Sequence, residues 1–324
     1  LANQSFDIRF IRAKFNQYSY SKMKRILVTG SNGLLGQKLV YGCVGRPNVE
    51  LIATAKGENR LILKEGYTYE SMDIGNEQDV DSIIDKYKPD VVIHTAAMTN
   101  VDACETDKEG CVLLNITAVE YLVNACNRNK AHFIHLSTDF IFDGENGPYD
   151  EEAEANPVSY YGWSKAEAER IVKEKSNDWA ILRTILVFGL VDNMSRSNVV
   201  LWAKGALEKG APINVVDDQF RMPTLAEDLA EGCLLAAEKH ANGIFNISGK
   251  DYMSVLELVE QVADFYGYDK QIIRAVSSST LNQTAKRPPR TGFDLSKSQR
   301  VLGYNPHSFR EGLAILDEQL KQYN

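Results

Sequence analysis

Arg25-Ile26-Leu27-Val28-Thr29-Gly30-Ser31-Asn32-Gly33-Leu34-Leu35-Gly36 begins as a short apolar run, turns on glycines spaced by three, and passes into periodic apolar residues over 34–40. A strand that feeds a helix through such a turn brings bare backbone amides and the positive end of a helix to one point. That point suits a diphosphate. The first glycine permits the tight turn, the second lets backbone approach the ligand closely, and the third lets the helix pack on the strand. Dinucleotide binding is the expectation, with Gly30, Asn32, Gly33, Leu34, Leu35 and Gly36 as contacts. The competing reading is a plain strand-to-helix turn.

Beyond this turn, apolar strands alternate with helical stretches. Strands are expected at 26–29, 49–54, 91–95, 133–137 and 180–184, and helices from 34, over 76–87, over 111–129 and from about 159. Repeated βα units predict an α/β fold of the Rossmann type, a doubly wound parallel sheet with helices on both faces. Ligands then bind at the carboxyl ends of the strands. After Phe188 the alternation loosens, and a smaller C-terminal substrate lobe is expected. The dinucleotide-binding domain is placed at 24–188 plus about 225–248, where the helix 226–239 and strand 243–247 return to the sheet. The substrate lobe is placed at 189–224 and 249–324.

The chain of 324 residues is 44% hydrophobic and 25% charged, ordinary for a globular protein with a large core. A formal net charge of −8 argues against nucleic acid or an anionic membrane as partner, since both select an excess of Lys and Arg. No apolar run reaches the roughly 18–20 residues that span a bilayer. Cys43, Cys104, Cys111, Cys126 and Cys233 form no CxxC pair and read as buried free thiols in a reducing, cytoplasmic setting. Residues 1–23 stand apart as an extension expected to be poorly ordered, with Met23 as a natural start; the basic, acid-poor character of 1–22 also fits an organellar address. Asp150–Glu154 reads as a solvated acidic loop. The five histidines (His94, His132, His135, His240, His307) show no ligand spacing, so no metal is expected.

An NAD-preferring unit carries an acid at the end of its second strand. Here that strand ends at Ala55-Lys56, and Lys56 with Arg60 suits a 2′-phosphate, favouring NADPH over NADH. Solvent exposure is the competing reading for both cations. Asp73, with Ile74 beside it, is a candidate for the adenine edge, or else a solvated loop aspartate.

Tyr161-Gly162-Trp163-Ser164-Lys165 puts a phenol and an ammonium four residues apart on one helical face. A phenol whose reference pKa is about 10 needs a nearby cation to exchange a proton at neutral pH. Tyr18–Lys22, Tyr20–Lys24 and Tyr266–Lys270 share the spacing, but only Tyr161 follows the fourth βα repeat beside the presumed cofactor seat. Thr138 closes the strand Phe133-Ile-His-Leu-Ser-Thr138, where its hydroxyl can meet a substrate carbonyl; a turn residue is the bland alternative. Asn115 lies amid apolar neighbours, either in a water-mediated relay to Lys165 or on the solvent side.

With Ser-Thr138-Asp-Phe-Ile-Phe-Asp-Gly144, Tyr161xxxLys165 and Asp218-Gln-Phe-Arg-Met-Pro-Thr224 in order, the chain from about Lys24 onward resembles the extended short-chain dehydrogenase/reductases, and among them the dTDP-4-dehydrorhamnose reductase family. The resemblance implies Thr138, Tyr161 and Lys165 as a catalytic triad, and Ala96 and Ala97 as further cofactor contacts. It also implies Asp139, Asn198, Gln219, Arg221 and Pro223 as walls of a nucleotide-sugar cleft. The implied reaction is reduction of a 6-deoxy-4-keto sugar at C4, with hydride from NADPH and a proton from Tyr161, whose pKa Lys165 would lower. A weaker implication gives Arg183 a structural role. A homodimer is also compatible with the likeness.

Arg221 departs from the family's Asp-Gln-x-Gly-x-Pro-Thr, and a cation there could pair with the substrate diphosphate, a surface position being the competing reading. Two other readings stand beside the reductase: a nucleotide-sugar epimerase or dehydratase of the same superfamily, and a non-catalytic NADP-binding regulatory subunit.

Overall fold

The computed structural model describes residues 23–193 and 197–323. The expectations for the extension at 1–22 lie outside the described residues.

Seven parallel strands make the central sheet: β1 (Lys24–Thr29), β2 (Val49–Ala55), β3 (Thr68–Ser71), β4 (Val91–His94), β5 (His132–Thr138), β6 (Trp179–Thr184) and β7 (Gly243–Asn246). They lie in the order β3-β2-β1-β4-β5-β6-β7. β1 therefore pairs with β2 on one side and β4 on the other, Ile26 facing Leu51 and Val91 respectively. Strand order reverses at that point, which opens a crevice at the carboxyl ends of β1 and β4. The glycine turn leaves β1 into this crevice.

The period of two along each strand explains why the sheet is buried on both faces. Ile26, Val28 and Ile93 pack with Leu39 and Val40 of α1 (Leu34–Cys43), and across the same face with Leu229 and Cys233. Leu27, Val92 and Phe133 point the other way, against Val80 and Ile84 of α2 (Glu77–Tyr87) and against Leu122, Cys126 and Val172. Asn76 caps α2, its side chain accepting from the amides of Gln78 and Asp79.

The expected helix at 111–129 is divided. α3 (Val101–Thr106), α4 (Lys108–Val112), a π-helical turn (Leu113–Thr117) and α5 (Ala118–Asn129) replace it. The one-residue widening of a π turn swings Asn115 inward, so its side chain bonds to Met98 and Ser164 instead of facing solvent.

α6 (Tyr160–Lys175) is capped by Ser159, and α7 (Val199–Glu208) by Asn198. α8 (Ala226–Glu238) precedes β7, which joins the sheet beside β6. α9 (Val255–Tyr266) opens with a reciprocal Ser254–Glu257 capping box. Two further helices that periodicity did not reveal, α10 (Ser296–Leu302) and α11 (Phe309–Tyr323), close the chain. Phe188, Val200, Leu207, Met253, Leu258, Val262, Phe309 and Leu313 form a separate apolar cluster beyond the sheet.

The acidic segment at 150–154 is only partly a solvated loop. Glu151 is buried because its carboxylate accepts the Asn246 amide at 3.0 Å. Arg183 is structural: its guanidinium grips the Glu169 carboxylate at 3.0 and 2.8 Å and donates to the Glu151 carbonyl, all buried. The five cysteines are free and buried.

Candidate active site

A cleft of 690 Å³ runs along the carboxyl ends of β1, β4, β5 and β6. Gly30, Asn32, Gly33, Leu34, Leu35 and Gly36 line one part, Ala96 and Ala97 the next, and Thr138, Asp139, Tyr161, Lys165, Asn198 and Arg221 the remainder. Lys56, Asp73, Ile74, Asn115, Gln219 and Pro223 do not line it. Gly30 holds φ at +68°, and a Cβ there would stand 2.8 Å from the Ala96 amide nitrogen, so only glycine lets β1 and β4 release their loops side by side.

Beside that turn, Asn32 is a clamp. Its Nδ2 donates to the Glu58 carbonyl at 2.9 Å and its Oδ1 accepts the Arg60 amide at 2.9 Å, tying the loop after β2 to the glycine turn. Lys56, four-fifths exposed, pairs with Asp73 at 2.6 Å. Asp73 also accepts from the Gly75 amide, and these contacts hold its carboxyl below the usual carboxylate range, the lysine contributing most.

The chemical end of the cleft is built by β5 and the first turn of α6. Gly162 makes the approach possible: a Cβ there would fall 2.1 Å from the Phe140 carbonyl oxygen, so any side chain would push the helix away. The close packing sets Tyr161 and Thr138 on the same wall of the cleft. Thr138 donates to Asp139 Oδ1 at 3.0 Å and accepts the Phe140 amide at 3.2 Å. Burial pushes the phenol well above its ordinary pKa; the Thr138 hydroxyl opposes this and the Asp139 charge reinforces it. Tyr161 is therefore protonated across the physiological range.

Lys165 points at β5, donating to the Leu136 carbonyl at 2.7 Å and to His135 Nε2 at 3.1 Å. Burial lowers it to about 8. The expected lowering of the phenol by this lysine is absent from this arrangement, because burial dominates both groups. His135 and His94 are neutral, His94 pushed down to about 3, by burial first and the Lys165 charge second. A neutral His135 is the acceptor that an ammonium needs, a partnership that residue spacing did not disclose.

Asn115 serves the same corner from behind. It bonds the Met98 amide and carbonyl at 2.8 and 3.0 Å and the Ser164 hydroxyl at 3.0 Å, fixing the segment after β4 against α6.

Arg221 is buried, and its donors are committed: to the Phe220, Pro288 and Pro289 carbonyls at 2.7, 2.7 and 3.2 Å, with Nε 3.6 Å from Asp139 Oδ2. It is a counter-ion and brace for Asp139, which Thr291 also meets, and pairing with a diphosphate would require it to abandon these contacts. Asn198 is likewise engaged, capping α7 and donating to the Gly189 carbonyl at 2.7 Å. Gln219 and Pro223 are buried behind the wall.

The family model described as the RmlD substrate binding domain matches residues 23–322. The chain belongs to this family. Its relatives include dTDP-4-dehydrorhamnose reductase of Aggregatibacter actinomycetemcomitans, 32% identical over 90% of this chain and 97% of that one. Methionine adenosyltransferase 2 subunit beta of Xenopus tropicalis is 29% identical over 90% and 86%. Among solved structures, a dTDP-4-dehydrorhamnose reductase from Clostridium acetobutylicum superposes with TM-score 0.81 at 28% identity, over 92% of this chain and 99% of that one. The Bacillus anthracis reductase in complex with NADP gives 0.78 at 24% identity, over 92% and 100%, a likeness of fold. This RmlD-family chain is thus an NAD(P)-dependent oxidoreductase by family, and no helix among its described residues is long and apolar enough to cross a membrane.

Proposed function

We propose that this chain reduces the C4 ketone of a nucleotide-linked 6-deoxy-4-keto sugar, converting dTDP-4-dehydrorhamnose to dTDP-rhamnose with NADPH. The observation that carries the proposal is that Thr138, Tyr161 and, one helical turn on, buried Lys165 line one cleft with the glycine turn. Residues 24–188 with about 225–248 hold the cofactor, and 189–224 with 249–324 hold the sugar nucleotide.

The residues present fit a nicotinamide dinucleotide. The Gly30 turn exposes backbone at the mouth of α1, and the hydroxyls of Ser137 and Thr184, both lining the cleft, are buried without a partner among the described residues. The bound dinucleotide supplies hydride to the carbonyl carbon. Tyr161, held protonated by burial, gives its proton to the carbonyl oxygen, and Thr138 turns its hydroxyl from Asp139 to the same oxygen. Lys165, aimed by His135 and the Leu136 carbonyl, holds the nicotinamide ribose. NADPH is favoured over NADH because Lys56 is four-fifths exposed, and a solvent-screened lysine can exchange its carboxylate partner Asp73 for a 2′-phosphate at small cost.

A dehydratase is disfavoured by apolar Phe140, which stands after Asp139 where a dehydratase commonly carries a second acid, whereas an epimerase would be marked by tightly co-purified NAD. The regulatory reading draws on the methionine adenosyltransferase relatives, and the assembled Thr138, Tyr161 and Lys165 speak against it. Free buried thiols suit a reducing compartment, so the reaction is assigned to the cytoplasm.

The test is loss of reduced-nicotinamide absorbance on mixing the protein with dTDP-4-dehydrorhamnose and either NADPH or NADH. Rapid oxidation, faster with NADPH, is expected. NADPH binding without oxidation would overturn the reductase and favour the regulator.

A further inference from the structure

The amino ends of β5, β6 and β7 carry a cluster that the cleft chemistry leaves unused. Phe133 and Trp179 are register partners, so the preceding residues, His132 and Asp178, stand side by side across the ladder. His132 Nδ1 lies 2.8 Å from Asp178 Oδ1. The connection from α8 to β7 then folds over the same carboxylate, putting His240 Nε2 2.7 Å from Asp178 Oδ2. His240 stands with φ at +49°, in the left-handed region where glycine usually ends a helix, and this conformation turns its imidazole inward. The two rings sit 4.4 Å apart between centroids. Asn242 Nδ2 adds a contact to Asp178 Oδ1 at 3.3 Å.

We propose that His132, Asp178 and His240 form a binding site for one divalent late first-row metal ion, with Zn²⁺ the natural probe. Two imidazole nitrogens and one carboxylate, converging from the entries of three adjacent strands, are the donor set that such ions select. The ligand atoms already lie within 4.8 Å of one another. Bonds of about 2.1 Å would set neighbouring ligands roughly 3.4 Å apart, so the present contacts of 2.8 and 2.7 Å need to open by about 0.6–0.7 Å. His240 is half exposed and can supply that movement, while His132 is fully buried and fixed.

Ligation moves the imidazole proton of His132 from Nδ1 to Nε2. Nε2 has no protein partner among the described residues, so changing tautomer breaks no hydrogen bond there. Asn242 is placed to orient the carboxylate from the side. The site lies six residues along β5 from Thr138, about 20 Å from the cleft chemistry, so its role is to tie three strand entries together.

Isothermal titration of the EDTA-treated, dialysed full chain with Zn²⁺ tests this. One ion per chain is expected, and a Co²⁺ derivative should show no thiolate charge-transfer band, which separates the site from the buried cysteines. Mg²⁺, which prefers oxygen ligands, should not compete. His240→Ala and Asp178→Ala should each weaken binding at least about tenfold. His307→Ala, which removes a different histidine–aspartate pair, should leave the titration unchanged. Absence of saturable Zn²⁺ binding, or a His240→Ala titration matching the native chain, would overturn the proposal. Unchanged circular dichroism and NADPH binding in the variants would establish that they fold.

Discussion

The two ends of the parallel sheet treat their polar groups in opposite ways. At the carboxyl ends, Ser137 and Thr184 leave buried hydroxyls without partners among the described residues, and Tyr161 and Thr138 face a cleft. At the amino ends polar groups close on one another: Asp90 takes the Arg25 amide, Asp178 takes two imidazoles, and Asn127 takes the Lys175 carbonyl. One end is left incomplete so that a ligand can finish it. The other end stitches strand entries together, His132 Nε2 being a buried atom there without a protein partner among the described residues.

That contrast can be broken by substitution. Tyr161→Phe removes the only proposed proton donor and should lower turnover by about 10²–10⁴-fold, with dinucleotide binding within a few fold of native. Comparable turnover in that variant would dissolve the chemical assignment of the carboxyl end.

Asp178→Ala should do the reverse. Measured with chelator present, it strips the acceptor from buried His132 and should cost about 1–3 kcal/mol in denaturant unfolding, while kcat stays unchanged. A loss of kcat without loss of stability would mean that the two ends are coupled.

The glycine turn, the 138–144 string and the Tyr161–Lys165 spacing were legible because each is a local pattern whose residues meet within one turn or one strand end. A parallel sheet covered on both faces followed from the same logic of repeated βα units. What escaped was tertiary. Nothing near Asn115 announced a π turn, since its benefit lies in Met98 and Ser164, the latter 49 residues away. Glu151 looked solvated among acids because its partner amide belongs to Asn246, 95 residues on. Arg221 invited a diphosphate until Pro288 and Pro289, far along the chain, were found to take its donors. The His132, Asp178 and His240 spacing matches no ligand pattern, yet strand register makes them neighbours.

A pH profile sharpens the comparison further. Lys165 must be charged to hold the ribose, and burial lowers it to about 8, so kcat/KM should fall as pH rises through about 8, approaching tenfold per unit. The charged form is present below that value and lost above it. A profile flat from pH 7 to pH 10 would remove Lys165 from the account.

The smallest effect is expected from His240→Ala. Its imidazole is half exposed, so turnover should stay within about twofold and chelated stability should change by only about 0.5 kcal/mol, leaving metal affinity as its main readout. A large loss of turnover would show that the amino end reaches the chemistry.

The most direct measurement is the fate of hydride. NADPH carrying deuterium at the transferable C4 position, mixed with this chain and dTDP-4-dehydrorhamnose, should yield a sugar nucleotide bearing one deuterium at its own C4, seen by mass spectrometry and proton NMR. Product lacking that label, or an altered sugar formed without NADPH consumption, would contradict reduction and place the cleft among enzymes that keep their hydride.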